Sequence, residues 1–160
     1  MTQVLEPSIA RTVPPPTAIP PAVALQGTLV ELIELALQGK QAHWNVEGPF
    51  FKPVHEQLDA FVGQYRDWYD EVAERLTAIG EAADGRTETV AATADLDRLP
   101  AGPLADRDVV EAFDERVALV ARRVADRAAA IEGDLASQDL LIGIIQGLDK
   151  QRWMLRAQRS

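Results

Sequence analysis

Residues 40–76, KQAHWNVEGPFFKPVHEQLDAFVGQYRDWYDEVAERL, contain two predicted helices joined by a turn, and this helix pair decides the fold. The same stretch holds both histidines of the 160-residue chain, His43 and His55, twelve positions apart. An aspartate, Asp59, follows the second histidine by one helical turn. Two interpretations are open at this point: the histidines are metal ligands, or they are structural residues near a turn.

The two helices extend outward from this turn. Gly48, which is followed by proline, predicts the end of the first helix and is its expected C-terminal cap. A stripe of residues spaced by three and four begins near Ala22 and ends at His43, which predicts that this helix has one buried side. The second helix is predicted from Pro53, which suits a first-turn position, to about Ile79.

Two more long helices are predicted after a connection rich in glycine and proline, residues 81–105. That connection includes a short predicted helix at about Glu88–Ala92. The third long helix is predicted at about Asp106–Ile131 and the fourth at about Ser137–Arg156, with Ser137 as the candidate N-cap. No strand-like alternation competes with these helices. The fold class is therefore all-α: a four-helix bundle with a short extra helix between helices 2 and 3.

Composition limits the class of protein. Hydrophobic residues make up 47% of the chain, which is enough for a core. The absence of cysteine excludes a disulfide framework and a thiolate metal site, and it fits a reducing compartment such as the cytoplasm. No apolar run reaches about 18 residues, so we expect no membrane span. A formal net charge of −9 favours cations and opposes nucleic-acid phosphates.

The chain divides by composition into three parts. Residues 1–21 form a proline-rich N-terminal arm, since half of the ten prolines lie between Pro14 and Pro21. Residues 22–158 form the helical bundle. Residues 159–160 form a short C-terminal end.

Four potential metal ligands share about one quadrant of the second helix. At about 100° per residue, and with His55 at zero, Asp59 falls near about 40°. On the same scale Asp70 falls near about 60° and Glu74 near about 100°. Along the helix the four residues form two clusters, with centres about 22 Å apart at a rise of about 1.5 Å per residue. One metal ion cannot bridge that distance.

A second copy of the chain resolves this separation. If its second helix runs antiparallel across a two-fold axis near Gly63, the first cluster of one chain faces the second cluster of the other. The glycine would let the two backbones approach closely. The first helix can add its terminal histidine to the same site. Each dimer would then have two identical sites, each with two imidazoles and three carboxylates: His43, His55, Asp59, Asp70 and Glu74.

The donor set indicates the class of metal. Carboxylate with imidazole and no sulfur is typical of non-haem iron, manganese or zinc sites. The chain contains no Glu-x-x-His, so it cannot form the usual within-chain di-iron site. A simpler interpretation also stays open, because acidic pairs spaced by four are usually a solvated helix face.

Two further sets of residues have two interpretations each. The first set is aromatic: Trp44, Tyr65, Trp68 and Tyr69. By default these are core or interface residues, and the second interpretation is that they donate electrons to a redox metal. The other set consists of acids before and in the fourth helix, which either line a cation entry pore or are ordinary helix-end charges: Glu132, Asp134 and Asp139.

The stretch 40–76 resembles the Dps family, the bacterial DNA-protection mini-ferritins. It has that family's lysine, His-Trp-Asn, glycine, phenylalanine, histidine and aspartate, and then a second aspartate with AER at the far end. Further matches are DGRTETVA at 84–91, LPAGPLADRDVVEAF at 99–113 and DLLIGIIQGLDKQRWMLRAQ at 139–158. The resemblance covers about residues 22–158.

The resemblance implies a ferritin-like four-helix bundle that assembles as a hollow dodecamer. It also implies a ferroxidase site between two subunits, where Fe(II) is oxidised, preferably by hydrogen peroxide, and Fe(III) mineral is stored. Consuming peroxide without releasing hydroxyl radical would protect DNA. Zinc or manganese could occupy the same site. By this resemblance His43, His55 and Asp59 come from one chain and the other two ligands, Asp70 and Glu74, from its partner.

The resemblance assigns roles to two further residues. Trp44 matches a tryptophan beside the site, and Glu56 matches a carboxylate that nucleates mineral in the cavity. Many family members bind DNA through a basic tail, but here the arm offers only Arg11, offset by Glu6. The last helix ends in a modest basic group: Lys150, Arg152, Arg156 and Arg159. We therefore expect weak DNA binding at physiological salt.

Two other functions stay open from the sequence. One is a nucleoid-associated DNA-binding protein whose metal site is secondary or vestigial. The other is a structural dimer in which zinc only fixes the interface.

Overall fold

The computed structural model describes residues 17–159. The four long helices of the predicted bundle and the short helix of the long connection are all present: α1 (Pro21–Asn45), α2 (Phe51–Ala78), α3 (Thr87–Thr93), α4 (Asp106–Ala130) and α5 (Leu135–Ala157). Two strands of two residues each, β1 (Val46–Glu47) and β2 (Leu104–Ala105), flank the turn after α1 and the start of α4. The all-α bundle is therefore confirmed.

The bundle consists of two helical hairpins, α1 with α2 and α4 with α5. Apolar side chains of α1, α4 and α5 face the core, including most of the stripe predicted on α1, whose last residue, His43, is partly exposed. On α5, Ile145 is half-buried at the edge of the core. Fully buried side chains of this size contribute about 1.5–3 kcal/mol each by leaving water. Among the largest are Leu25, Leu58, Phe113, Leu141 and Leu148.

The end of α1 differs from the prediction. The helix ends at Asn45, and its cap is Val46 in an extended conformation, so the assignment of Gly48 as the cap was wrong. The extended segment β1 pairs in parallel with β2, with Val46 opposite Leu104. The expectation of no strands was also wrong in this detail. A two-residue strand is too short to produce alternation, and its partner lies far away in the sequence.

Gly48 is needed for a different reason. It has a φ of +131°, which favours glycine, and a side chain there would overlap the carboxylate of Asp106. That carboxylate accepts a hydrogen bond of 2.5 Å from the backbone N–H of Phe50. The glycine therefore allows Asp106, at the start of α4, to approach the turn before α2 and to hydrogen-bond to it.

The starts of α2 and α5 also differ from the predictions. Helix α2 begins at Phe51, two residues before Pro53, and the proline still lies in the first turn. Helix α5 begins at Leu135, and its N-cap is Asp134, so the assignment of Ser137 as the cap was wrong. The aspartate side chain accepts from the backbone N–H of Ser137 at 3.0 Å and from its hydroxyl at 2.6 Å. A capping carboxylate offers two acceptors, and both are used here.

The N-terminal arm reaches the bundle at the end of α4. Ile19 donates its backbone N–H to the carbonyl of Ala130 at 3.0 Å, and it pairs with Ile131 as an isolated bridge. Residues 1–16 and residue 160 lie outside the described residues. The proposed division into an arm, a bundle and a short end therefore stays a prediction.

Within residues 17–159, only α1 has the length and hydropathy of a possible membrane span. In that helix 61% of the apolar window is buried inside the bundle. Its apolar side chains pack against the other helices. A buried core helix can have the same length and hydropathy as a membrane span, and α1 has this burial.

Candidate functional site

The end of α1 and the start of α2 bring the two histidines into contact. The short turn between them reverses the chain, so His43 in the last turn of α1 lies beside His55 in the first turns of α2. Their rings stack with centroids 3.6 Å apart and planes inclined by 19°. Both side chains are partly exposed. The structure thus joins the two residues that the sequence separates by twelve positions.

Each histidine holds the ring of the other. His43 Nδ1 lies 2.9 Å from the carbonyl oxygen of His55, and His55 Nδ1 lies 2.8 Å from the carbonyl oxygen of His43. A carbonyl can only accept, so both Nδ1 atoms must carry a hydrogen. In the neutral rings both Nε2 lone pairs are then available. Histidines that bind metals are oriented by this kind of bond to a carbonyl.

Asp59 lies one turn further along α2 and forms an ion pair with Lys40 of α1. The hydrogen bond from the Lys40 ammonium lowers the pKa of this carboxyl below its usual value of 3.8. Partial desolvation opposes that shift, while the charges of Lys40 and the two nearby histidines support it. The carboxylate is therefore ionised at neutral pH. Lys40 had no predicted role beyond its place in the family motif, because its contact with Asp59 joins two different helices.

Asp70 and Glu74 lie on the far half of α2 and are both exposed. Among the described residues of one chain, no group of three histidine, aspartate or glutamate side chains is placed to hold a metal ion. The structure therefore joins His43 with His55, sets Asp59 close to them, and leaves the other two predicted ligands apart. A single chain provides half of the predicted site.

The open side of α2 between these two halves contains Gly63. Apart from its chain neighbours and the adjacent backbone of α2, no atom of the described residues lies within 4 Å of the position where a Cβ would be. Packing within one chain therefore does not require a glycine at this position. The space is available to a second molecule, as the predicted two-fold axis requires.

Two further residues of the predicted site lie at its border. The Trp44 side chain is 69% exposed at the end of α1. Glu56 is exposed on α2 and lies 3.7 Å from Lys52 in an ion pair one turn away. Sequence reasoning gave no site role to Phe51, whose ring centroid lies 5.0 Å from that of His55. The phenylalanine ring is inclined by 37° to that of His55.

Three of the remaining aromatic and acidic candidates, Tyr65, Trp68 and Asp134, have structural contacts. Tyr65 is fully buried, and its hydroxyl donates to Gln151 at 2.7 Å. Burial raises the pKa of this phenol far above its usual value of 10.0. Its ring centroid lies 6.1 Å from that of Trp68, as in an ordinary aromatic core contact. Asp134 caps α5 and pairs with Arg75 at 2.8 Å, which favours the helix-end interpretation for this acid.

Comparison with known proteins gives a consistent family. A sequence model of the ferritin-like domain matches residues 22–160. "DNA protection during starvation protein 2" of Deinococcus radiodurans is 37% identical over 135 residues, which is 84% of this chain. This chain spans only 56% of that relative's length. "DNA protection during starvation protein" of Agrobacterium fabrum is 37% identical over 136 residues, which is 83% of each chain.

A solved structure supports the same conclusion. The crystal structure of Dps92 from Deinococcus radiodurans superposes with a TM-score of 0.84 at 36% identity, and it covers 86% of this chain and 84% of that one. The match therefore extends through the bundle that carries the histidine pair. Sequence and structure agree that this chain belongs to the Dps family of ferritin-like proteins.

Proposed function

We propose that this protein is a ferroxidase that oxidises Fe(II) at sites shared by two antiparallel α2 helices. The observation that supports this most directly is the histidine pair. The reciprocal bonds of His43 and His55 leave two Nε2 atoms ready to bind a cation at an exposed edge of the bundle. Asp59 adds an ionised carboxylate beside them.

The donor types fit iron as the substrate. Imidazole nitrogen and carboxylate oxygen without thiolate suit Fe(II), and they also accept zinc or manganese. In the proposed dimer the partner adds the two exposed carboxylates of its own α2, Asp70 and Glu74. Three carboxylates would offset most of the charge of two divalent cations, so two iron ions could bind close together.

The residues of this chain would then have distinct roles. The histidine pair and Asp59 bind Fe(II), and Lys40 releases the aspartate as the cation arrives. Two Fe(II) ions give one electron each to one hydrogen peroxide molecule. The O–O bond breaks, two protons are taken up, and two water molecules form without hydroxyl radical. Trp44 is exposed and adjoins His43 in the chain, and we propose that it intercepts a stray oxidant.

The oxidised iron would be stored as mineral inside a hollow oligomer. We propose a dodecamer built from the two-fold dimers, with Glu56 as a carboxylate that nucleates mineral. The relatives named for DNA protection during starvation support a protective role. We propose that the protein acts in the cytoplasm by removing peroxide and Fe(II) together. We propose that DNA binding is weak, since the chain carries a net charge of −9.

The test is iron oxidation by the assembled protein with peroxide as oxidant. Replacing His43 and His55 together by alanine should abolish turnover and mineral formation. Unchanged turnover would overturn the site. A wild-type protein that binds zinc but forms no mineral after iron loading would indicate a structural metal dimer instead.

A further inference from the structure

The N-terminal arm joins the bundle at the end where α1 begins and α4 ends. Ile19 donates its backbone N–H to the carbonyl of Ala130 at 3.0 Å, which fixes the last residues of the arm there. Far from this contact in the sequence lie residues 4–7, VLEP, which we name the arm tip. The tip contains three apolar residues and Glu6, the only acid of residues 1–21. The arm therefore has a fixed attachment point and an apolar, acidic tip.

The opposite end of the bundle contains a groove of about 790 Å³, which we name the end groove. Its walls come from the turn and first residues of α2, the start of α4 and the C-terminal end of α5. Phe50, Pro53 and Val110 give it apolar surface, and the Phe50 side chain is 55% exposed. Grooves with exposed aromatic rings bind extended proline-containing segments, which lose little entropy when they bind. The end groove thus suits a short, extended, apolar peptide.

One cation of the end groove has no partner within the described part of the chain. Arg107, in the first turn of α4, is exposed and lines the groove. The other charges of the groove already have partners. Arg159 pairs with Glu111 at 2.9 Å, and the carboxylate of Asp106 accepts a hydrogen bond from the turn before α2. An acidic side chain that entered the groove would therefore pair with Arg107.

The length of the arm matches the distance to this groove. Helix α4 separates the attachment point from the groove, and its 25 residues extend about 37 Å at about 1.5 Å per residue. An extended proline-rich chain covers about 3.1 Å per residue, so the twelve residue steps from Ile19 back to Pro7 also cover about 37 Å. The prolines at 14–16 lie too close to Ile19 to reach the groove. The arm tip has both the necessary reach and the complementary charge.

We propose that the arm of each subunit runs back along its own α4 and that the arm tip docks in the end groove. The apolar side chains of the tip pack against Phe50, and Glu6 pairs with Arg107. The docked arm ties the two ends of the bundle together and fills the groove. The end groove contains none of the predicted iron ligands, so this docking and the proposed iron chemistry can each fail without the other.

Because the chain contains no cysteine, a single engineered disulfide can report the docking. The test variant carries Ser8→Cys, next to the arm tip, and Gln57→Cys on the wall of the end groove. The assembled full-length protein is oxidised with diamide, and the intact mass of the denatured chains is measured without reductant. We expect single chains that have lost both thiol hydrogens, which means an intrachain disulfide. A folded variant that stays reduced would overturn the proposal, and so would a covalent dimer, which would place a neighbour's arm in the groove.

A matched control separates docking from random contact. Arg122 is exposed on the same side of α4 as Glu111, about three turns nearer to the attachment point of the arm. A freely moving arm would therefore meet Arg122 at least as often as the groove. Ser8→Cys with Arg122→Cys should form its disulfide at least about tenfold more slowly than the test pair, because docking concentrates the tip at the groove. Equal rates in the two variants would contradict the docking.

A charge exchange tests the proposed ion pair. Adding Glu6→Arg to the test variant should slow disulfide formation by about threefold or more, because two cations then meet in the groove. Adding Arg107→Glu as well should restore the rate, since the pair is re-formed with its charges exchanged. A rate that Glu6→Arg leaves unchanged, or that Arg107→Glu fails to restore, would show that Glu6 does not dock beside Arg107.

A second cysteine pair keeps the test valid if Gln57→Cys disturbs α2. The exposed Gln158 lies on the facing wall of the end groove and donates to Gln57 at 2.8 Å, so a docked tip lies close to both. Ser8→Cys with Gln158→Cys should give the same intrachain disulfide. If both pairs stay reduced in protein with wild-type helicity and mass in solution, the arm tip does not occupy the groove.

Discussion

The imidazoles of His43 and His55 lie face to face, and each donates its Nδ1–H to the main-chain carbonyl of the other. The main chain of each histidine thus orients the imidazole of the other, although the two residues belong to different helices. The bonds also tie the last turn of α1 to the first turns of α2. The two histidines therefore form a single unit in the proposed iron site.

The first prediction concerns this unit. His43→Ala and His55→Ala should each lower the initial rate of iron oxidation at least about tenfold, because each removes one ligand and the ring that stacks on the other histidine. The double variant should lose little more than either single variant, since the pair acts together. The measurement is the absorbance of Fe(III) with time, with the exposed Gln41→Ala as control. If the rate loss of the double variant equals the product of the two single losses, the histidines act as independent ligands and the prediction is wrong.

The second prediction concerns Lys40, which competes with a cation for Asp59. Lys40→Gln should lower the Fe(II) concentration needed for half-maximal rate by up to about fivefold, the range of a partly exposed ion pair. The maximal rate should change less than this concentration does. Lys40→Arg, which keeps the ion pair, is the control. A higher requirement for Fe(II) in Lys40→Gln would mean that the lysine supports binding instead of opposing it.

The third prediction compares two helical glycines. A methyl at Gly147 would overlap the ring of Trp68, whereas a methyl at Gly63 would meet no atom within 4 Å. Gly147→Ala should lower the free energy of unfolding by about 1–3 kcal/mol through overpacking. Gly63→Ala should not lower it, because alanine favours the helix by about 0.5–1 kcal/mol. Urea unfolding of both variants measures the difference.

A larger residue at Gly63 separates folding from assembly. Gly63→Leu should keep wild-type helicity by circular dichroism but lose the two-fold dimer and iron oxidation. A Gly63→Leu protein that has wild-type mass in solution and wild-type turnover would contradict the proposed axis.

The fourth prediction concerns pH and the cap of α5. Hydrogen bonds from Ser137, with the charge of Arg75, lower the pKa of Asp134 below its usual value of 3.8. The ionised cap therefore stabilises the fold above about pH 3.8, and this stabilisation is lost as the pH falls through the lower native pKa. Asp134→Ala should cost about 1 kcal/mol at neutral pH and progressively less in acid.

Urea unfolding across this pH range checks the cap. Asp134→Asn keeps a capping oxygen without the charge, so its stability should depend less on pH than that of the wild type. A cost of Asp134→Ala that stays constant down to pH 3 would contradict an ionised cap.

The helices were predictable because their signals are local. Apolar residues spaced by three and four identified the first helix, and α2 ends close to the predicted Ile79, just before Gly80 with its φ of +89°. The differences involve contacts between distant parts of the chain. The pairing of Val46 with Leu104 ended α1 early, and the carboxylate of Asp106 determined the use of Gly48.

The candidate site was predictable in part for the same reason. The helical period placed His55 and Asp59 on one side of α2, and the stripe on α1 pointed His43 toward them. The reciprocal histidine bonds and the contact of Lys40 with Asp59 depend on how two helices cross, which periodicity does not specify. The contribution of a partner chain stays a prediction, resting on the distance between the two halves of α2.

The most direct test of the shared site mixes two inactive chains. One variant carries His43→Ala with His55→Ala, and the other carries Asp70→Asn with Glu74→Gln. Each alone should fail to oxidise iron with peroxide. In a mixed dimer one site combines both defects, but the other combines the intact halves of the two chains.

Coexpression with random pairing should therefore restore about a quarter of the wild-type rate of iron oxidation, since about half of the dimers are mixed and each has one complete site. Native mass spectrometry establishes the fraction of mixed dimers. Activity that rises with that fraction is the result we expect. Mixed dimers without any iron oxidation would contradict a site shared between two subunits.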